Sequence, residues 1–193
     1  MKTNLTLAII VSAFILTGCG ESSDEAASGK GNAEQPATAV VAAAATATPP
    51  ANWNAIDACA AVDKAAMAAI VGQAVNETTL GFVNASDGTT AAGSECKYTL
   101  ADGSHATLMM RWSPIADNTD GAISAAKKGL EETLKAFGKT IEVIDGVGKA
   151  AFWTDATSSL NVFIGEDKFI IFNAPSGSEG KNQAIALARK LGA

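Results

Sequence analysis

The chain has 193 residues, with fourteen basic and twenty acidic side chains, one histidine and a formal net charge of −6 at neutral pH. That balance excludes nucleic acid as a partner, since phosphate binding needs a basic stripe, and makes charge a poor source of affinity for anionic lipid headgroups. A single histidine excludes any site that needs two.

Read from the amino end, Lys2, the apolar run Leu5 to Leu16 and the small pair Thr17-Gly18 have the three zones of an export signal. The run is too short for a bilayer span. Leu16-Thr17-Gly18-Cys19 resembles the lipobox of bacterial lipoproteins. The resemblance implies a lipoprotein signal peptide over residues 1–18, diacylglyceryl transfer to the Cys19 sulfur, cleavage after Gly18, and palmitate or a related acyl chain on the new amino terminus. An ordinary signal peptide with an incidental cysteine is the plainer alternative. Two or three acyl chains hold a protein on a membrane where one does so only marginally. The expected partner through Cys19 is therefore the membrane itself. Gly20 follows Cys19, where enteric bacteria place an aspartate to retain lipoproteins in the inner membrane. In a cell with two membranes this favours the outer one, facing the periplasm. Removing residues 1–18 removes Lys2 and no acid, so thirteen basic and twenty acidic residues remain, a charge of −7.

Residues 19–52 are rich in Ala, Gly, Ser and Thr, lack aromatics and reach Pro49-Pro50 near their end. Such a stretch buries too little apolar surface to offset its ordering entropy, so it is expected to be a disordered tether. As a random coil it would span about 30 Å.

Residues 53–193 are expected to form a single α+β domain. The first helix is predicted from an Asp57 cap, with Val62, Ala66, Ala69 and Ile70 on one face and Gly72 as its stop. A second starts near Asp117 to Thr119, carries Ile123, Ala126, Leu130, Leu134 and Phe137 in one stripe, and closes at Gly138. Ser178 would cap a third, with Ile185, Ala188 and Leu191 inward. Between them, Cys96 to Leu100 and Ala106 to Trp112 alternate around an Asp102-Gly103 turn. Ile141 to Ile144, Ala150 to Thr154, Leu160 to Ile164 and Phe169 to Asn173 follow. Phe163-Ile164 and Phe169 to Phe172 are apolar on both faces, as mid-sheet strands are. The fold class is α+β: a mainly antiparallel sheet packed with about three helices.

Of three cysteines, Cys19 is committed to lipid, which leaves Cys59 and Cys96 to form a disulfide in an oxidising compartment. Two separate buried thiols are the alternative. Asp57-x-Cys59 opening a helix that ends in Gly72, Cys96-x-Tyr98, and Gly146-Val147-Gly148-Lys149-Ala150-Ala151-Phe152 before a hairpin, with a closing Ala/Leu-rich helix, resemble secreted bacterial lipoprotein domains. The resemblance implies a PsbP-like α/β/α sandwich in the cell envelope and carries no catalytic residues with it.

The chemistry-bearing candidates are few. His105 and Met109 share a strand face but stand about 13 Å apart, too far for one metal ion. Gly146-Val147-Gly148-Lys149 lacks the spacing and the Ser or Thr of a phosphate loop, and reads as a turn. A Ser–His–Asp site would have to use His105 as its base. Trp112 and Trp153 could offer an aromatic platform to a glycan or peptide, although alternating strand positions also suit core packing. The contacts considered for a ligand are therefore Trp112, Trp153 and His105, with no metal and no cofactor. The reading that follows is a lipid-anchored, extracytoplasmic, non-catalytic domain binding a protein or small ligand. The rivals are an envelope hydrolase using His105 and a structural or assembly factor recognisable by an exposed apolar patch.

Overall fold

Asp57 accepts a hydrogen bond from the Ala60 backbone N–H at 2.9 Å and so starts α1 (Ala58–Ala61). In this computed structural model residues 49–193 are described; the expected signal peptide, Cys19 and the expected tether up to residue 48 lie outside the described residues. Pro50 is already part of the folded unit, because its carbonyl accepts from the Trp53 N–H at 2.8 Å. The turn Pro50–Trp53 seats Trp53, which is buried.

The single first helix expected from periodicity is two. Val62 turns extended (φ −131°, ψ 98°) and Asp63 caps α2 (Lys64–Val71) by accepting from the Ala66 N–H at 2.8 Å. The restart shifts the phase of the inward face, so Met67 and Val71 are buried and Ala69 is exposed. Gly72 ends α2 in the left-handed region at φ 73°, as expected of a glycine stop. The extended break leaves Val62 fully buried in the core.

Among the described residues, seven strands follow the order β1-β2-β3-β7-β6-β5-β4, each pair antiparallel. They are β1 (Val75–Asn84), β2 (Ala92–Leu100), β3 (His105–Trp112), β4 (Glu142–Val143), β5 (Ala150–Thr154), β6 (Ser159–Ile164) and β7 (Lys168–Asn173). β1 was not expected from the sequence; its polar, glycine-containing run is an edge strand exposed along most of its length. Its pairing with β2 shifts register twice, between Val75 and Glu77 and between Leu80 and Val83. β6 and β7 lie inside the sheet, as their two-sided apolar pattern implies, and every residue of β6 is buried.

One sheet face carries the main core. Cys96, Tyr98 and Leu100 of β2, Leu108, Met110 and Trp112 of β3, Ile170 and Phe172 of β7, and Leu160 and Val162 of β6 pack there against α1, α2 and α4 (Gly180–Lys190). α4 inserts Ala184, Leu187 and Ala188. Its N-cap position is Glu179 rather than Ser178, and no side chain caps it. Ile185 and Leu191 only flank the core.

The bridge Cys59–Cys96 forms as expected, with a Cα–Cα distance of 5.0 Å, and ties α1 to β2. Around it the Ala58 N–H donates to Ser94 Oγ (2.9 Å), Ser94 Oγ donates to the Ala55 carbonyl (2.8 Å), and the Tyr98 hydroxyl donates to the Val62 carbonyl (2.7 Å). All are buried, so each polar group has its partner where water cannot supply one.

The opposite face is thinly covered. Phe152, Phe163 and Leu134 are buried there outside the main cluster, and the Phe163 ring lies 6.2 Å from Phe152 and 4.7 Å from Phe169. The covering element is α3 (Asp120–Lys135), capped by Thr119 Oγ1, which accepts from the Ala122 N–H. Of its sixteen residues only Leu134 is buried; Ile123, Lys127 and Leu130 are half-buried, Ala126 is exposed, and Phe137 beyond its end is 74% exposed. The architecture of the described residues is α+β, with four helices on two sides of an antiparallel sheet.

Candidate binding surface

The tryptophans considered for ligand contact are core residues. Trp112 is 2% exposed and its indole N–H donates to Asp167 Oδ2 at 3.0 Å; Trp153 is 3% exposed and donates to Asp155. Trp53 donates to the Arg111 carbonyl at 3.3 Å, with Lys168 Nζ 5.9 Å from its ring centroid. A platform needs a free ring face, and burial leaves these rings none. His105 opens β3 on the opposite sheet face, exposed, paired with Thr99, and makes no side-chain hydrogen bond among the described residues. The fold therefore does not bring His105, Trp112 and Trp153 to one place.

The glycine-rich stretch before β5 is a turn. Gly146 and Gly148 take φ 70° and 61°, and a Cβ on Gly148 would lie 2.4 Å from the Phe163 carbonyl oxygen. Lys149 Nζ donates to the Asn118 carbonyl at 2.8 Å and to both Glu166 oxygens at 2.9 Å. Glu166, hydrogen-bonded and opposite in charge, raises the ammonium pKa. Asn118, 2% exposed, donates to the Gly165 and Lys168 carbonyls at 3.2 and 2.7 Å. These bonds fasten the β3–α3 loop to the β6–β7 turn, so Lys149 is a structural tie.

The surface left for binding is the open half of the thinly covered face, over β1, β2 and β3. Phe82 and Met109 flank a groove of about 270 Å³ whose floor is Ala92 and Gly93 and whose end is Arg111. Gly93 lets the ring lie close: a Cβ would sit tightly, 3.4 Å from Phe82 Cζ and 3.2 Å from the Met110 carbonyl oxygen. Arg111 is ion-paired through both terminal nitrogens to Asp117. Those bonds hold the Asp117 carboxyl below its ordinary pKa, and in turn neutralise the guanidinium. The groove therefore offers apolar surface rather than an anion site. Phe82 is 56% exposed, and Val83 and Leu80 on the same strand are 50% and 41% exposed.

Comparison of the chain with protein-family models, curated proteins and solved structures finds no match.

Among the described residues, no three or more His, Cys, Asp or Glu side chains are grouped to hold a metal, and no helix is long and apolar enough to cross a membrane. The groove went unforeseen because β1 did. Its one sequence signal is the run of β-branched and aromatic residues, Val75, Thr78, Thr79, Phe82 and Val83, interrupted by Gly81.

Proposed function

We propose that this protein is a lipid-anchored, extracytoplasmic, non-catalytic domain that docks a partner protein of the cell envelope through the groove beside Phe82. The observation that carries the docking is a half-exposed aromatic ring over a glycine floor. A groove of that size fits one large apolar side chain of a partner better than a whole small ligand. The lipobox-like Leu16 to Cys19 supports anchoring, and residues 1–18 would then be the lipoprotein signal peptide. The Cys59–Cys96 bridge fits an oxidising compartment, and Gly20 after Cys19 favours the outer membrane facing the periplasm. The order helix, sheet, helix is also what resemblance to PsbP-like lipoprotein domains implies. His105, with no bonded hydroxyl among the described residues, gives a hydrolase little to work with. An assembly factor of the envelope is the second reading, favoured by the same apolar strand.

The test places a photoreactive phenylalanine analogue at position 82 in cells, with a control on the exposed Ala65 of α2. A discrete protein adduct is expected from position 82 and none from 65; adducts from neither, or equally from both, remove the groove as a docking site. Phe82→Ser should abolish function while lowering unfolding free energy by no more than about 1–2 kcal/mol, because only the covered side of the half-exposed ring packs on the sheet. Mass analysis of the protein from cells should find an acylated Cys19 amino terminus; an intact Met1 start would overturn the anchor.

A further inference from the structure

The corner where α3 ends and β4 begins carries a second apolar surface unrelated to the groove. Phe137 is 74% exposed and Val143 is 51% exposed. Leu134 and Phe137 wall a cleft of about 530 Å³ against the turn 155–157. The projection of Phe137 is built into the backbone. The Lys139 N–H reaches back to the Leu134 carbonyl at 3.0 Å while Gly138 takes φ 65°, a glycine helix stop that throws the preceding side chain outward.

Charge at this corner runs against that of the whole chain. Lys135 and Lys139 flank the ring, and among the described residues neither makes an ion pair. Of the acids lining the neighbouring clefts, Glu131 is paired with Lys127 at 2.6 Å, while Asp155 accepts the Trp153 indole N–H and keeps its charge, so Lys135 and Lys139 outweigh it by one. An exposed aromatic between two free ammonium groups complements an interface of acyl chain below and phosphate above.

We propose that this corner is a membrane contact: Phe137 enters the interfacial layer of an anionic bilayer, and Lys135 and Lys139 meet lipid phosphates. The proposal rests on the anchored reading for its strength. One ring and two lysines bind weakly, each lysine near an anionic surface contributing about fivefold. A chain already held on that surface needs no more, since tethering supplies an effective concentration in the millimolar range. Reach is sufficient. Asn52 lies beside Lys190 to Gly192 at the far end of α4, which is about 16 Å long. Residues 19–48 could extend about 100 Å at most.

The experiment uses the protein purified from cells, carrying Phe137→Trp or, as control, Phe82→Trp. Each is mixed at millimolar lipid with phosphatidylglycerol-containing vesicles whose acyl chains are brominated. The three native tryptophans are buried, so the added indole reports its own position. At position 137 its emission should fall about twofold, against little change at position 82. Neutral phosphatidylcholine vesicles, or Lys135→Gln with Lys139→Gln, should remove most of that quenching. Equal quenching at both positions, or none at 137, overturns the proposal. So does an emission shift that follows protein concentration instead of lipid, which would make a second copy the occupant. Flotation with the vesicles reads the anchor separately: quenching without flotation sinks the anchor alone, and flotation without quenching sinks this corner alone.

Discussion

Tyr98 is the only tyrosine in the chain, and its hydroxyl closes the break between α1 and α2 by donating to the Val62 carbonyl. Burial, with Asp57 and Asp63 nearby, pushes its pKa above the ordinary value. In the unfolded chain the phenol ionises near pH 10, while in the fold it stays protonated. Above about pH 10 the unfolded state therefore holds fewer protons, and stability falls as pH rises. Phenolate absorbance should accordingly appear together with loss of near-ultraviolet dichroism at alkaline pH; ionisation in an intact fold would contradict this. Tyr98→Phe should flatten that alkaline slope and cost about 1–3 kcal/mol at neutral pH, since the Val62 carbonyl is left unpaired. Sequence pattern identified Tyr98 as inward-facing, but its hydroxyl's target depends on a helix break that periodicity cannot show.

At the scale of elements, α1 has four residues and no stability of its own. It exists because Asp57 caps it, Ser94 receives its first N–H, and Cys59 is bonded to β2. The bridge spans 37 residues, for which the chain-entropy model gives roughly 3–4 kcal/mol. Replacing both cysteines by alanine should lower the thermal midpoint by about 10 °C, with α1 the first segment to lose protection. An unchanged midpoint would mean that packing alone holds α1. Cysteine arithmetic was enough to expect this bond, because reading Cys19 as the lipidation site leaves two thiols to pair. The hairpin at Asp102-Gly103 and the interior strands were legible for a similar reason: alternation and turn chemistry are local. β1 was not, since an edge strand solvated along most of its length shows no alternation to detect. Nor was the Asp63 restart, hidden by alanines that suit either phase.

For the molecule as a whole, the two sheet faces are unequally defended. One is sealed by three helices and most of the large side chains; the other is roofed by a sixteen-residue helix that buries Leu134 alone. Opening energies follow buried contact, so α3 should detach from a folded sheet. Amides of Asp120 to Lys135 are expected to exchange through a sub-global opening, faster than those of β6 and β7; equal protection in denaturant would refute this. The stripe Ile123 to Phe137 is visible in the sequence as amphipathic. Periodicity tells which side is apolar but not how much of it finds a neighbour, so the exposure of Phe137 and the corner around it became apparent only in three dimensions.

The two register shifts in β1 have a use in crowding. A long outermost strand bearing exposed Leu80, Phe82 and Val83 would otherwise invite its twin on a neighbouring molecule to zip alongside. Where many copies crowd together, that kinked rim interrupts the ladder every few residues and disfavours growth into fibres.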